Sequence, residues 1–290
     1  MDEMNDEAPP SPPPSPPPPA LRTYGDETAQ RVKTLYHMMR CNQDLEHVRM
    51  CHAKYVAPGK LGSVCMSVWE AMKLLETFVD VSDPDVTLPN HVHAFQTAEG
   101  VRAMNMPDWM QLTGLIHDLG KMIYLRGCDE DGTSMDQQWS IVGDTWLVGC
   151  TMPDELVFPE FNADNPDTRV PERCTDTGVY EPGCGLDNTY CAFGHDEYMY
   201  QVLLQNEGVK LPKEALYVIR YHSLYPWHDK GCYAALESDT DRQMKGWVKL
   251  FNQHDLYTKK DTNYTAEEMG ELRQYYTKLI EKYLPAQLDW

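Results

Sequence analysis

From Ala20 onward the apolar residues recur at three- and four-residue intervals, and nowhere do they alternate strongly enough to build a sheet. That period describes one face of an α-helix and excludes the two-faced pattern of a half-buried strand. Over 63–79, Val64, Val68, Met72, Leu75 and Val79 form one stripe; over 28–55, Val32, Leu35, Met39, Leu45, Val48 and Tyr55 form another. Asn90 is placed to cap a helix running to about Met104. Asp108 is placed to cap the next, with Trp109, Leu112, Leu115, Ile116 and Leu119 inward and Gly120 ending or bending it. Further helices are expected over 195–207, 212–224, 241–257 and 266–283. The expected fold class is all-α.

Three segments break the pattern. Residues 9–19 are proline except for Ser11 and Ser15. Proline fixes φ and has no N–H, so this run reads as extended polyproline. With the acidic start before it, 1–20 is expected to be a disordered tail, either a solvated spacer or a ligand for an SH3-like or profilin-like partner. Residues 126–138 are polar and acidic and read as a surface loop. Residues 153–189 carry five prolines without periodicity, an irregular segment of the kind that often bears function.

Charge narrows the partners. With 25 basic and 45 acidic residues the formal net charge is −20, which repels nucleic acid and anionic membranes. A small neutral substrate, or a cation held by carboxylates, suits such a chain better. No apolar run approaches the ~20 residues of a membrane span, and the first seven residues lack the regions of a signal peptide. Nine cysteines without a CxxC pair complete the picture of a cytoplasmic protein with reduced thiols.

The sharpest feature is His117-Asp118 in the last turn of the most apolar helix, Leu112 to Lys121. Buried ionisable groups without partners cost several kcal/mol, about 3–5 when a charge is left uncompensated, so something must bind them. A metal does so directly, because imidazole and carboxylate are ligands for iron, manganese or zinc. An isolated pair is more often a backbone-bonded histidine beside a capping aspartate, but this pair has company. His91 or His93 reaches the same centre, not both, since residues two apart on a helix point about 200° from each other. His195 opens a helix, His222 continues the stripe Ala215, Val218, Ile219, and Asp255 continues Val248, Phe251. A shared metal centre satisfies all of them together. The order His93, His117-Asp118, Asp255 resembles the HD superfamily, and His195 with His222 implies a second metal bridged by Asp118. The remaining histidines, His37, His47, His52, His91, His228 and His254, read as surface or packing residues.

In detail the chain resembles the myo-inositol oxygenase family. The stretches that carry this are Asp80-Val81-Ser82-Asp83-Pro84-Asp85, His93 to Glu99, Gly114 to Lys121, Val142-Gly143-Asp144-Thr145, Gly194 to Val202, His222 to His228 and Asp255 to Lys259. The similarity spans about 21–290. It implies a single compact helical HD-type domain over those residues, and ring cleavage of myo-inositol by O₂ to D-glucuronate. It implies two Fe ions per subunit, mixed-valent Fe(II)/Fe(III) in the active form. One is held by His93, His117, Asp118 and Asp255, the other by Asp118, His195 and His222. Substrate contacts carry over to Arg22, Asp80, Lys121, Gly143, Asp144, His222, Ser223 and Lys259, with Lys121 stabilising charge at the substrate oxygen. No reductase is needed, and the expected state is a monomer. Three features depart from the family: His91, the acidic 126–138 loop and the proline tract. Most HD proteins are metal-dependent phosphohydrolases, and a non-catalytic scaffold is a third class; few clustered cations disfavour the former.

Overall fold

The computed structural model describes residues 30–83, 90–255 and 264–290. The 1–20 tail, Arg22 and Lys259 lie outside the described residues.

Helix α1 (Gln30–Asn42) buries Val32, Leu35, Tyr36 and Met39. The expected 28–55 stretch is divided after it, because the Asp44 carboxylate accepts from the His47 amide at 2.8 Å and starts α2 (Leu45–Cys51). Such a cap contributes about 1 kcal/mol. Helix α2 widens into a π turn over His52–Val56. The 63–79 stripe shortens to α3 (Val68–Leu75), fixed by a reciprocal capping box between Ser67 and Glu70. Just ahead, the two-residue strand β1 (Cys65–Met66) pairs antiparallel with β2 (Leu288–Asp289). This is the one named ladder among the described residues, and the fold is otherwise helical.

Helices α4 (Asn90–Ala103) and α5 (Asp108–Ile116) lie side by side. They approach so closely that a Cβ on Gly114 would stand 2.8 Å from the Ala98 Cα. At His117 the chain tightens into a 3₁₀ helix that runs through Gly120 to Leu125. The α-helix thus ends at Ile116, four residues before Gly120, which lies within the 3₁₀ helix. Gly120 packs on the first residue of α6 (His195–Gln205), where a Cβ would meet the His195 carbonyl oxygen at 1.9 Å. Helices α7 (Lys213–Tyr221), α8 (Tyr225–His228), α9 (Asp239–Asp255) and α10 (Ala266–Tyr283) follow. Asp108 does not cap α5, since Pro107 holds that position. Its carboxylate instead accepts from Lys282 and Tyr283 of α10, both at 2.5 Å.

The 126–138 segment is a surface loop only in part: Asp129, Glu130 and Asp136 are exposed, as expected, but the loop is anchored by buried residues. Asp131, Thr133 and Gln138 are buried, and Asp131 accepts from Lys54 Nζ and Tyr55 Oη, each at 2.7 Å. Burial alone would raise the Asp131 carboxyl, but these donors and Thr133 bring it down to about 2. Gln138 then donates to the Val79 carbonyl and accepts from the Val81 amide, clasping the strap that carries Asp80. The irregular 153–189 segment is, as expected, without long elements: a chain of short 3₁₀ turns. It is pinned by Asp167, which accepts from the amides of Leu45 and Gly149 and from Arg173.

Two apolar clusters build the interior, a larger one from α1–α6 with α10 and a smaller one around Trp227, Trp247 and Phe251. None of the nine cysteines is paired. Among the described residues no helix is long and apolar enough to cross a membrane.

Two glycines test this packing in opposite directions. Gly120→Ala forces backbone against backbone, so it should lose about 3 kcal/mol or more. Gly270→Ala, in α10 with open space around it, should gain roughly 0.5–1 kcal/mol. Denaturant unfolding measures both. An unchanged midpoint for Gly120→Ala would remove the close approach to His195.

Candidate metal centre and substrate cleft

Six predicted donors arrive from five separate segments. His93 lies in the first turn of α4, His117 and Asp118 open the 3₁₀ helix, and His195 is the first residue of α6. His222 follows the end of α7, and Asp255 closes α9. All six are buried. His93 Nε2 is 2.8 Å from Asp255 Oδ1, and His117 Nε2 is 3.2 Å from the same oxygen. On the other side His195 Nε2 is 3.2 Å from Asp118 Oδ1 and 3.2 Å from His222 Nε2. Asp118 Oδ2 faces His117 at 3.7 Å. Of the two adjacent histidines, His93 and not His91 joins the cluster.

The donors suit a metal. Nδ1 of His117, His195 and His222 lies 2.8, 2.7 and 2.9 Å from the carbonyls of Gly114, Ile141 and Ile219. A carbonyl only accepts, so each Nδ1 carries hydrogen and each neutral ring turns an Nε2 lone pair inward. Two such lone pairs 3.2 Å apart repel unless a cation lies between them. At metal–nitrogen distances of about 2.1 Å they fit neighbouring positions on one ion.

The electrostatics agree. Burial pushes His93 and His222 down, toward the neutral form that ligates. Burial acts likewise on His195, but Asp196 and Asp118 outweigh it and push that ring up to about 10. The field there favours positive charge. Burial would raise Asp118 and Asp255, yet Lys121 with His117, and His117 with His93, hold them well below the usual carboxylate range.

Above the donors opens a cleft of about 610 Å³ not filled by atoms, partly open to solvent. Its described lining includes no aliphatic side chain, and Lys121 is the one Lys or Arg there. Among the described residues a phosphate would find no cradle of cations. Lys121 donates through Nζ to Asp80 Oδ2 at 2.8 Å, Asp118 Oδ2 at 2.9 Å and Asn90 Oδ1 at 3.1 Å. Burial alone would favour the free amine, but the two carboxylates keep it charged. Asp80, Gly143, Asp144, His222 and Ser223 all line the same cleft. Gly143 has φ +90°, and a Cβ there would stand 2.9 Å from Met39, so the position requires glycine.

Three participants were not foreseen. Asn90 fixes Lys121 while donating to the Phe78 carbonyl at 2.6 Å; its place three residues before His93 already put both on one helix face. Tyr36 donates to Asp144 Oδ1 at 3.2 Å, a tyrosine hidden within an otherwise apolar stripe. Asp196 Oδ1 lies 2.8 Å from His195 Nε2, 3.3 Å from His222 Nε2 and accepts from Ser223. The signal for it was an acid directly after a ligand at a helix start.

Helices that bring an HD pair and four further histidine and aspartate donors into one polar cleft define a protein of the HD type with candidate metal sites. The sequence profile of the family described as myo-inositol oxygenase matches residues 29–290. The chain belongs to that family, whose members are iron-dependent oxygenases. It is 45% identical over 262 residues to the inositol oxygenase of Homo sapiens, covering 90% of this chain and 87% of that one. A second similar relative is the inositol oxygenase of Sus scrofa, at 45% over 262 residues, 90% and 88% of the two chains. With the probable inositol oxygenase of Oryza sativa subsp. japonica the identity is 40% over 275 residues, 93% and 85%.

Stripping metal should leave three buried carboxylates, Asp118, Asp196 and Asp255, without a bound cation to balance them. We expect chelation to lower unfolding stability by about 3 kcal/mol, the linkage value for an ion bound well above its Kd, and added Fe(II) to restore it. Identical melting of stripped and loaded protein would mean that these donors hold no ion.

Proposed function

We propose that this protein is an inositol oxygenase that opens the ring of myo-inositol with O₂ to give D-glucuronate, using two irons per chain, Fe(II)/Fe(III) in the active form. One iron takes His93, His117, Asp118 and Asp255, the other Asp118, His195 and His222. The disposition of Asp118 supports its bridging, since Oδ1 faces His195 while Oδ2 faces His117. When bound, the irons supply the redox chemistry of O₂ activation. Inositol and O₂ together contain the atoms of glucuronic acid and one water, so all four electrons come from substrate and no reductase is required.

The chain's own residues bind and orient a neutral polyol. The observation that carries this is the cleft itself, lined by polar side chains around one ammonium. Asp80 and Asp144 accept from hydroxyls, and Ser223 and Lys121 donate. Gly143 lets backbone approach the ring, and His222 serves both metal and substrate walls. Arg22 and Lys259 complete the contact set. Lys121 keeps its proton on Nζ and places positive charge where the substrate oxygen gains negative charge, the form of stabilisation that is strongest in a dry site. A compact domain over 21–290 carries all of this. We place the protein in the cytoplasm as a monomer, with the proline-rich 1–20 segment available to an SH3- or profilin-like partner.

The direct assay is O₂-dependent glucuronate formation from myo-inositol by protein carrying about two irons per chain. Asp118→Ala should lose both irons; one iron retained tightly would contradict the bridge. Lys121→Ala should lower turnover on the order of 10²-fold with both irons retained, and Lys121→Arg should not rescue it, because a planar fork replaces a point charge. Near-normal turnover of the alanine variant would remove Lys121 from the chemistry. The 21–290 chain should match full-length turnover and melting; a large loss of activity would place the tail in the site.

A further inference from the structure

A second set of metal-type donors lies outside the cleft. His37 and Cys41 are four residues apart on α1 and so share a face. Asp164, the last residue of the 3₁₀ turn Pro159–Asp164, meets them from the opposing segment. His37 Nε2 is 3.0 Å from Asp164 Oδ2 and 3.4 Å from Cys41 Sγ, and the three donor atoms lie within 4.8 Å of one another. Tetrahedral zinc bonds of about 2.0–2.1 Å to N and O and 2.3 Å to S separate N from O by about 3.3 Å and N from S by about 3.6 Å. The observed spacings are a few tenths of an ångström shorter, a change three surface side chains make easily.

The surroundings hold this arrangement in place. Arg40, buried one residue before Cys41, donates to Asn162 Oδ1 at 3.0 Å and to the Val157 carbonyl at 3.1 Å. That lock fixes α1 to the 159–164 turn independently of the three donors. The His37 ring packs on Phe161 with centroids 4.9 Å apart. The His37 and Asp164 side chains are 47% and 52% exposed, which leaves an entry path and room for water as a fourth ligand. A surface His–Asp pair contributes little alone. A thiol, an imidazole and a carboxylate together match a borderline divalent ion better than they match Mg²⁺ or Ca²⁺, which prefer oxygen.

We propose that His37, Cys41 and Asp164 form a binding site for one divalent cation of the zinc class, separate from the iron centre, that clamps α1 to the 159–164 turn. Tyr36 and Met39 of the same helix stand against Asp144 and Gly143, so the clamp also steadies one wall of the cleft.

The test titrates the full-length, iron-loaded protein with Co²⁺, whose thiolate complexes give a charge-transfer band in the near ultraviolet. Wild type should show that band at one Co²⁺ per chain, and Zn²⁺ should displace it. Cys41→Ser should abolish the band, while Cys174→Ser, at another exposed thiol, should keep it. His37→Gln and Asp164→Asn should weaken binding at least about tenfold, with glucuronate formation in the absence of added cation unchanged in all four variants. Zn²⁺ should slow amide exchange across 37–41 and 159–164 in wild type and not in Cys41→Ser. No band in wild type with excess Co²⁺, or a band unchanged in Cys41→Ser, would overturn the proposal and leave a surface ion pair only.

Discussion

A carboxylate at full burial, Asp118, is the constraint around which this molecule is organised. An ionised acid cannot stay there unless cations and donors surround it, because desolvation costs several kcal/mol per ion. Lys121, one turn on, supplies one positive charge at 2.9 Å. His117 and His195 approach from either side. The ammonium then needs its own company, and Asp80 and Asn90 provide it. Each satisfied group thus recruits the next, and the sum is still short of positive charge. Asp118, Asp196 and Asp255 are buried against a single buried lysine in the cleft, which is the imbalance that bound cations correct.

The backbone serves that requirement at two glycines. Gly114 lets α4 and α5 touch along Ala98, which brings His93 and His117 together with rings 5.6 Å apart. Gly120 lets the 3₁₀ helix lie on the start of α6, which brings His195 to Asp118. Carbonyls at Gly114, Ile141 and Ile219 then set the ring tautomers. Helices therefore position the donors, while unspent backbone acceptors orient them. Phe251 closes the apolar side, 5.3 Å from His117 and 6.3 Å from His222.

Much of this was legible from residue order. Period-3.6 stripes gave the helical class, and α10 was bounded at Ala266 and Tyr283 because a threonine cap and a clean stripe delimit it. The clustering of these candidate donors was legible because a histidine or aspartate on an apolar face needs a partner, and one shared ion would satisfy several at once. Boundaries were less legible where a polar side chain interrupts an apolar run: Asp44 splits 28–55, and Ser67 delays α3, through local hydrogen bonds that no periodicity reports. The 126–138 segment misled for a different reason. Asp129, Glu130 and Asp136 are exposed as their polarity suggests, yet Lys54 and Tyr55, over seventy residues earlier, reach Asp131 and bury it. Asp196 was hidden by its neighbour, since once His195 accounts for a helix start an adjacent acid reads as ordinary first-turn chemistry.

That anchored segment links the charge logic of the centre to its choice of substrate. Gln138 clasps the Asp80 strap through both ends of its amide, and Asp80 in turn spends its carboxylate on Lys121 and Ser82. The Asp80 carboxyl is thereby held well below the usual range, at about 2: burial raises it, but Lys121 and Ser82 outweigh that. An anionic ligand entering the cleft meets this fixed negative charge and that of Asp144, with one lysine already engaged by two carboxylates. Among the described lining residues a phosphate would meet no second lysine or arginine, whereas a neutral polyol donates its hydroxyls to the carboxylate oxygens and leaves the network intact. The excess of buried acid that suits metal ions beneath the cleft thus also suits an uncharged, hydroxyl-rich ring above it.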